Sequence, residues 1–221
     1  MRRRRAFLLV VLGSILVFTP AEARRKHRNT NPYPGHFDYY VLSLSWSPQY
    51  CTAKADHRDD PQCDRKKHYG FVVHGLWPQN LRGYPSECST TYRLDSAVVD
   101  SMLDIMPSDD LIRHEWSKHG TCSGLDPEAY FGRVRSAFSS IEIPAQYRRP
   151  DAAFEVSASE LIGQFHQVNP SVDATNMVVS CRSRYLTELR ICMDKELRID
   201  RCGSDIKSKC GPGALIVRPV R

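Results

Sequence analysis

The sequence predicts an α+β fold: a single disulfide-stapled domain with a central antiparallel sheet and helices packed on one side. Three observations support this. Short runs rich in β-branched and aromatic residues fall early and late in the chain, and helical periodicity is concentrated between them, so strands and helices are segregated rather than alternating. Cys51, Cys63, Cys88, Cys122, Cys181, Cys192, Cys202 and Cys210 form an even set in a chain that opens with an export signature, a context in which disulfides are the default. No internal repeat or low-complexity tract divides the chain, and its length suits one domain with a sizeable core.

The first residues concern targeting rather than fold. MRRRR, an apolar run from Ala6 to Phe18, and Ala21-Glu22-Ala23 read as a secretory signal peptide over residues 1–23, with an uncleaved anchor as the alternative. The apolar run is short for a membrane span, and no later stretch is long enough, so no membrane association is expected after cleavage. Residues 24–35 carry RRKHR and NTNPYPG and read as a flexible basic arm; the folded domain is expected over 36–221. Cleavage removes Arg2 to Arg5 and Glu22 and halves the formal charge of +6, so net charge says little about a nucleic-acid partner.

Strand signals follow at YYVLSLSW (39–46), FVVH (71–74), MVVSC (177–181), YLTELRICM (185–193) and ALIV (214–217). LDSAVVDSMLDIM (94–106) places apolar residues at helical intervals. Pro107-Ser108 before DDLIRHEWSKH supplies a cap residue and first-turn acids, and Gly120 supplies a stop. Asp126-Pro127 opens EAYFGRVRSAF as N-cap and first-turn proline, and Ser157-x-x-Glu160 is a capping box before LIGQF.

HEWSKHG (114–120) holds two histidines, a glutamate and a lysine on the expected helix. His114 and His119 are five residues apart and point about 140° apart at 100° per residue, whereas the zinc ligands of H-E-x-x-H share a face four residues apart. The spacing argues against a zincin site. Glu115 shares a face with His119 and with Lys118, and His114 shares one with Lys118. In the last turn, exposed carbonyls and the Glu115 carboxylate favour the His119 imidazolium while Lys118 opposes it, so titration near neutrality is expected. Alone, the heptapeptide also reads as a solvated face. The cysteines contain no C-x-x-C pair, which argues against a zinc ribbon or a thioredoxin-like site.

FVVHGLWPQ (71–79) reads as a short buried-type strand that delivers His74 at its end, then Gly75, an aromatic and a proline turn, a common way for a scaffold to present a functional group; a hydrogen-bonded core histidine with Trp77 as packing is the alternative. Taken together, FVVHGLWPQ and HEWSKHGTC resemble the two signatures of the ribonuclease T2 family of secreted endoribonucleases, in the expected order. The resemblance extends from FDYYVLSLSWSPQYC (37–51), similar to the family's first strand, to the late cysteine-bearing strands. The arginine-rich start, with no plant-style vacuolar or retention tail, points to a bacterial member.

The resemblance implies His74 as general acid, His119 as general base, and Glu115, Lys118 and His114 as groups that hold and neutralise the scissile phosphate. It implies Trp77 as a base-stacking ring, with Tyr84 as a second. Gln79 replaces an aspartate that some fungal members use to read the base, which leaves base preference open. It further implies the pairs Cys88–Cys122, Cys181–Cys210 and Cys192–Cys202, leaving Cys51 with Cys63. The expected protein is a periplasmic or secreted monomer, without cofactor or metal, that cleaves single-stranded RNA to a 2′,3′-cyclic phosphate and then a 3′-phosphate. Two alternatives stand beside it: a secreted RNA-binding domain of the same fold without catalysis, and a histidine-rich metallohydrolase.

Overall fold

The computed structural model describes residues 33–53, 60–90 and 93–220. The signal-peptide reading, and all of the basic arm but its last three residues, lie outside them. Among the described residues the strands are β1 (Tyr39–Trp46), β2 (Phe71–Gln79), β3 (Phe154–Ser157), β4 (Met177–Arg182), β5 (Tyr185–Met193) and β6 (Ala214–Val217). The helices are α1 (Ser47–Ala53), α2 (Ser96–Asp100), α3 (Asp109–Lys118), α4 (Pro127–Ser139), α5 (Ala145–Arg148) and α6 (Ala158–Val168).

All six strands form one sheet in the order β2-β1-β5-β6-β3, with β4 paired to β5. The expected antiparallel sheet is therefore corrected to a mixed one, because β5 and β6 pair in parallel through Tyr185 and Ile216. The pairing of β1 with β5 ends at Ser45 opposite Glu188, and β6 takes over that edge of β5.

The period-two pattern of β1 sorts the faces of the sheet. Tyr40, Leu42, Leu44 and Trp46 are buried in a large apolar core with Trp116 of α3, Tyr130 of α4 and Phe165 of α6. Tyr39, Val41 and Ser43 look the other way, over a smaller cluster with Cys192, Trp77, Cys202 and Ile206. The chain after Cys202 covers this second face through Cys202 and Ile206, tied by Cys192–Cys202, and Cys181–Cys210 fastens its far end to β4 against the main core. The remaining bonds are Cys51–Cys63 and Cys88–Cys122, so the three pairings that the resemblance implies are present together with the one it leaves over.

The helix expected over 94–106 is shortened to Ser96–Asp100, followed by turns. The Ser101 hydroxyl donates to the Val98 carbonyl, and the next amides bond three residues back, Met102 to Val99 and Ile105 to Met102. The Ile105 carbonyl is spent on the Val73 amide of β2, so tertiary pairing overrides helical periodicity. The run 37–51 likewise divides, with strand ending at Trp46 and α1 beginning at Ser47. β3, four residues before a capping box, gives too short a signal to be read from sequence.

Candidate active site

β2 is an edge strand that continues through Gly75 and Pro78 to Gln79, which corrects the expected strand end and turn after His74, and it carries one irregularity. Ser43 of β1 faces Gly75 and Leu44 faces Val73, so His74 is the extra residue of a β-bulge. A bulge re-aims the side chain it carries, and here His74 is turned onto the second face beside Glu188 and Arg190 of β5.

The helical group arrives on α3. Ser108 caps it by accepting from the Leu111 amide, Asp109 and Asp110 occupy the first turn, and Trp116 anchors it in the core. Gly120 follows the helix end at a position where only glycine fits, since a Cβ there would lie 2.3 Å from the Trp116 ring. His119 is the C-cap, with φ −120° and ψ −47°, and so departs from the helical projection.

Glu115, expected to favour the His119 imidazolium, instead meets His74 and Trp77: its Oε1 lies 3.5 Å from His74 Nε2, and its Oε2 accepts from Trp77 Nε1 at 2.6 Å. Gly75 makes this approach possible, since a Cβ there would come within 2.1 Å of Glu115 Oε2 and 2.5 Å of Trp77 Nε1.

Trp77 is in contact with both histidines. Its ring centroid is 5.1 Å from that of His74 and 5.3 Å from that of His119, with Arg190 over it at 5.0 Å. The strand histidine and the helix-end histidine thus share one indole. Tyr84, from the loop after β2, has its ring 6.0 Å from His119.

Lys118 is half-buried and its charge acts on both Glu115 and His119, while exposed His114 also acts on His119. Gln79 is 3 % exposed, opposite Tyr39 at the end of β2, two residues beyond Trp77 on the same face.

The two imidazoles are driven in opposite directions. Burial disfavours charge on His74, but its 2.7 Å bond to Glu188 and the charges of Glu115 and Glu188 outweigh burial and Arg190, and its pKa is raised. His119 is 5 % exposed and is pushed down to about 3 by burial first, then by Lys118, His74 and His114. The expected titration of His119 near neutrality is therefore corrected: the weighing of helix end against carboxylate omitted burial, which dominates. Burial also raises the Glu115 carboxyl against the pull of His74, Trp77 and Lys118.

Sequence reasoning missed Glu188 and Arg190. Both stand at alternate positions of YLTELRICM, a charged pair on one face of an otherwise largely apolar strand, and that pattern is the available signal. Among the described residues, no group of three His, Cys, Asp or Glu side chains could hold a metal ion.

The chain matches the Ribonuclease T2 family over residues 37–202. It is 38% identical over 196 residues to a ribonuclease of Aeromonas hydrophila, covering 85% of this chain and 88% of that one. With a probable ribonuclease of Haemophilus influenzae it shares 32% identity over 180 residues, covering 76% of this chain and 61% of that one. Among solved structures it resembles an RNase-related protein from Calystegia sepium, with TM-score 0.64, 24% identity, and coverage of 83% of this chain and 97% of that one. A mutant of RNase MC1 in complex with 5′-UMP superposes with TM-score 0.65 at 18% identity over 82% of this chain and 98% of that one, a likeness of fold alone. With three quarters of its residues inside the family match and bacterial ribonucleases among its relatives, the chain belongs to the ribonuclease T2 family and is an endoribonuclease.

Proposed function

We propose that this protein cleaves single-stranded RNA by metal-independent transphosphorylation, with His119 as general base and His74 as general acid. One observation carries the reading: the two imidazoles both contact a single indole and are driven toward opposite protonation states, His74 toward the cation and His119 toward the neutral ring. RNA supplies its own nucleophile, so the protein must take a proton from the ribose 2′-hydroxyl and give one to the departing 5′-oxygen. A neutral and a protonated histidine meet both needs.

His119 Nε2 takes the 2′-hydroxyl proton; the 2′-oxygen attacks phosphorus; the bond to the 5′-oxygen breaks as His74 delivers its proton there. The products are a 2′,3′-cyclic phosphate and a new 5′-hydroxyl end. Water then opens the ring with the roles reversed, leaving a 3′-phosphate. The phosphodiester's negative charge, once bound, lifts the His119 pKa from its depressed value and makes it a stronger base. Lys118 and His114 neutralise charge on the phosphoryl oxygens, and Glu115, whose carboxyl is raised by burial, donates to one of them when protonated.

Tyr84 and Trp77 offer rings for base stacking, a mode tolerant of base identity, and Gln79 at the end of the same strand is placed to influence preference. All groups invoked come from one chain, so a monomer suffices. The four disulfides favour an extracytoplasmic site, periplasmic or secreted, with residues 1–23 as the export signal and 36–221 as the catalytic domain.

The test is product analysis on a defined oligoribonucleotide. Cyclic phosphate and 3′-phosphate ends, formed undiminished in EDTA and lost in His74→Ala and His119→Ala, are expected. A 5′-phosphate product or chelator sensitivity would replace this mechanism with a metal-dependent one. RNA retention without cleavage by the wild type would make the protein a binder.

A further inference from the structure

Glu188 and Arg190 lie outside both sequence clusters, yet they meet the active site from the far side of β1. Their positions opposite Ser45 and Ser43 put both on the face where the bulge delivers His74. The Glu188 carboxylate is 9 % exposed as a residue and divides its two oxygens. Oε1 is 2.7 Å from His74 Nδ1, while Oε2 accepts from Arg190 Nε at 2.7 Å and lies 2.5 Å from its Nη2. The guanidinium in turn lies over Trp77, so β5 braces both the histidine and the indole.

We propose that Glu188 is the positioning residue of the general acid: it binds His74 Nδ1, fixes the ring, and leaves Nε2 as the nitrogen that carries the transferable proton, with Arg190 holding Glu188 in place. This rests on the reading of His74 as the acid. A buried carboxylate that orients an imidazole through one nitrogen selects which tautomer the other presents. Here the free nitrogen is the one that looks toward Glu115, at 3.5 Å, on the cleft side shared with Trp77.

His119 offers a contrast within the same site. Its Nδ1 is buried and makes no hydrogen bond among the described residues, so no carboxylate fixes that ring. The acid is clamped and the base is not. A clamp that is negative also keeps the acid loaded. The groups facing His74 are Glu188 and Arg190 from β5, Glu115 from α3 and Trp77 from β2, with His119 beyond the indole. Of these, the two glutamates favour the imidazolium and Arg190 opposes it. Glu188 itself is held ionised, down to about 2: burial pushes its carboxyl up, and His74, Arg190 and Ser43 outweigh that.

The opposing signs of Glu188 and Arg190 separate this role from that of an ion pair that merely joins strands. The experiment follows the His74 ring by NMR titration in the disulfide-bonded protein, assigned against His74→Ala, together with pH profiles of kcat and KM on a ribodinucleotide. Glu188→Gln preserves shape and removes charge; its His74 midpoint should fall by about one to three pH units, with the alkaline limb of kcat falling equally and KM little changed. Arg190→Gln removes the opposing charge and should move the midpoint upward.

A His74 midpoint unmoved in folded Glu188→Gln overturns the assignment and leaves His74 as the acid. A midpoint that falls while the alkaline limb stays in place overturns it too, and the activity of His74→Ala then reports separately on the acid role. If Glu188→Gln does not fold, Glu188→Asp, which keeps the charge but shortens its reach to His74 Nδ1, decides by the same two readings: a lowered midpoint with a lowered alkaline limb supports the clamp, and an unmoved midpoint overturns it.

Discussion

The Trp77 indole nitrogen donates to the Glu115 carboxylate across 2.6 Å, and through this bond the edge strand β2 and helix α3 hold each other. Glu115 is 2 % exposed, and its other oxygen faces His74. Trp77→Phe keeps a ring in contact with the histidines but removes the donor. A buried carboxylate left short of a partner costs about 1–3 kcal/mol, so denaturant unfolding should show a loss of that order. The Glu115 carboxyl should also rise further, and kcat should fall more than KM changes. Wild-type stability and turnover in Trp77→Phe would mean that Glu115 is held by other contacts.

Gly75 is where that arrangement is most sensitive to a single methyl group. Its Cβ would overlap both Glu115 Oε2 and Trp77 Nε1, neither of which is the free end of a mobile chain, because each is bonded to the other. Gly75→Ala should therefore break the pair, destabilise the fold by about 1–3 kcal/mol through overpacking, and reduce turnover although His74 and His119 are intact. Activity within a few-fold of wild type would show that the strand can shift to admit the methyl group.

The local parts of this site are legible in the sequence, and the long-range parts are not. His74, Glu115 and His119 lie in two short stretches whose order and spacing identify the family, and β1, β5 and β6 are delimited to the residue by their β-branched and aromatic runs. The pairing of His74 with Glu188 spans 114 positions of sequence and depends on the register of three strands and on a bulge that no residue pattern announces. The helical projection of His119 fails for a related reason. It extends helical geometry one residue past the end of α3, and burial, a property of the whole fold, then sets the charge state.

Burial of neutral His119 predicts a specific loss of stability in acid. The imidazole pKa falls from an ordinary 6.5 to about 3 on folding, so between those values the unfolded chain binds a proton that the native site refuses. Stability then falls with decreasing pH by about 1.4 kcal/mol per unit from this group. His74, raised by its partners, acts oppositely: its contribution is complete below 6.5 and disappears as pH rises through its folded pKa. Glu188 contributes above 4.5 and loses that contribution as pH falls toward about 2. His119→Asn removes only the first of these. Relative to wild type it should therefore gain stability steadily as pH is lowered from about 6.5, measured by urea unfolding. A constant difference between the two proteins across that range would mean that His119 titrates normally in the fold.

Cys88–Cys122 joins the loop carrying Tyr84 to the turn that follows His119, and the Glu87 amide donates to the Lys118 carbonyl at 2.9 Å alongside it. The bond closes 34 residues of chain, and loop-closure entropy assigns it about 3–4 kcal/mol. Replacing both cysteines with alanine should lower stability by that order and let Tyr84 leave His119, raising KM for RNA with less effect on kcat. Cys51–Cys63, which closes 12 residues beside α1, is the control. Its loss should cost about as much stability, since closure entropy varies only with the logarithm of loop length, while KM stays close to wild type. Equal KM in the two double variants would separate Tyr84 from substrate binding, because the loss of stability is shared and only the first variant releases the ring.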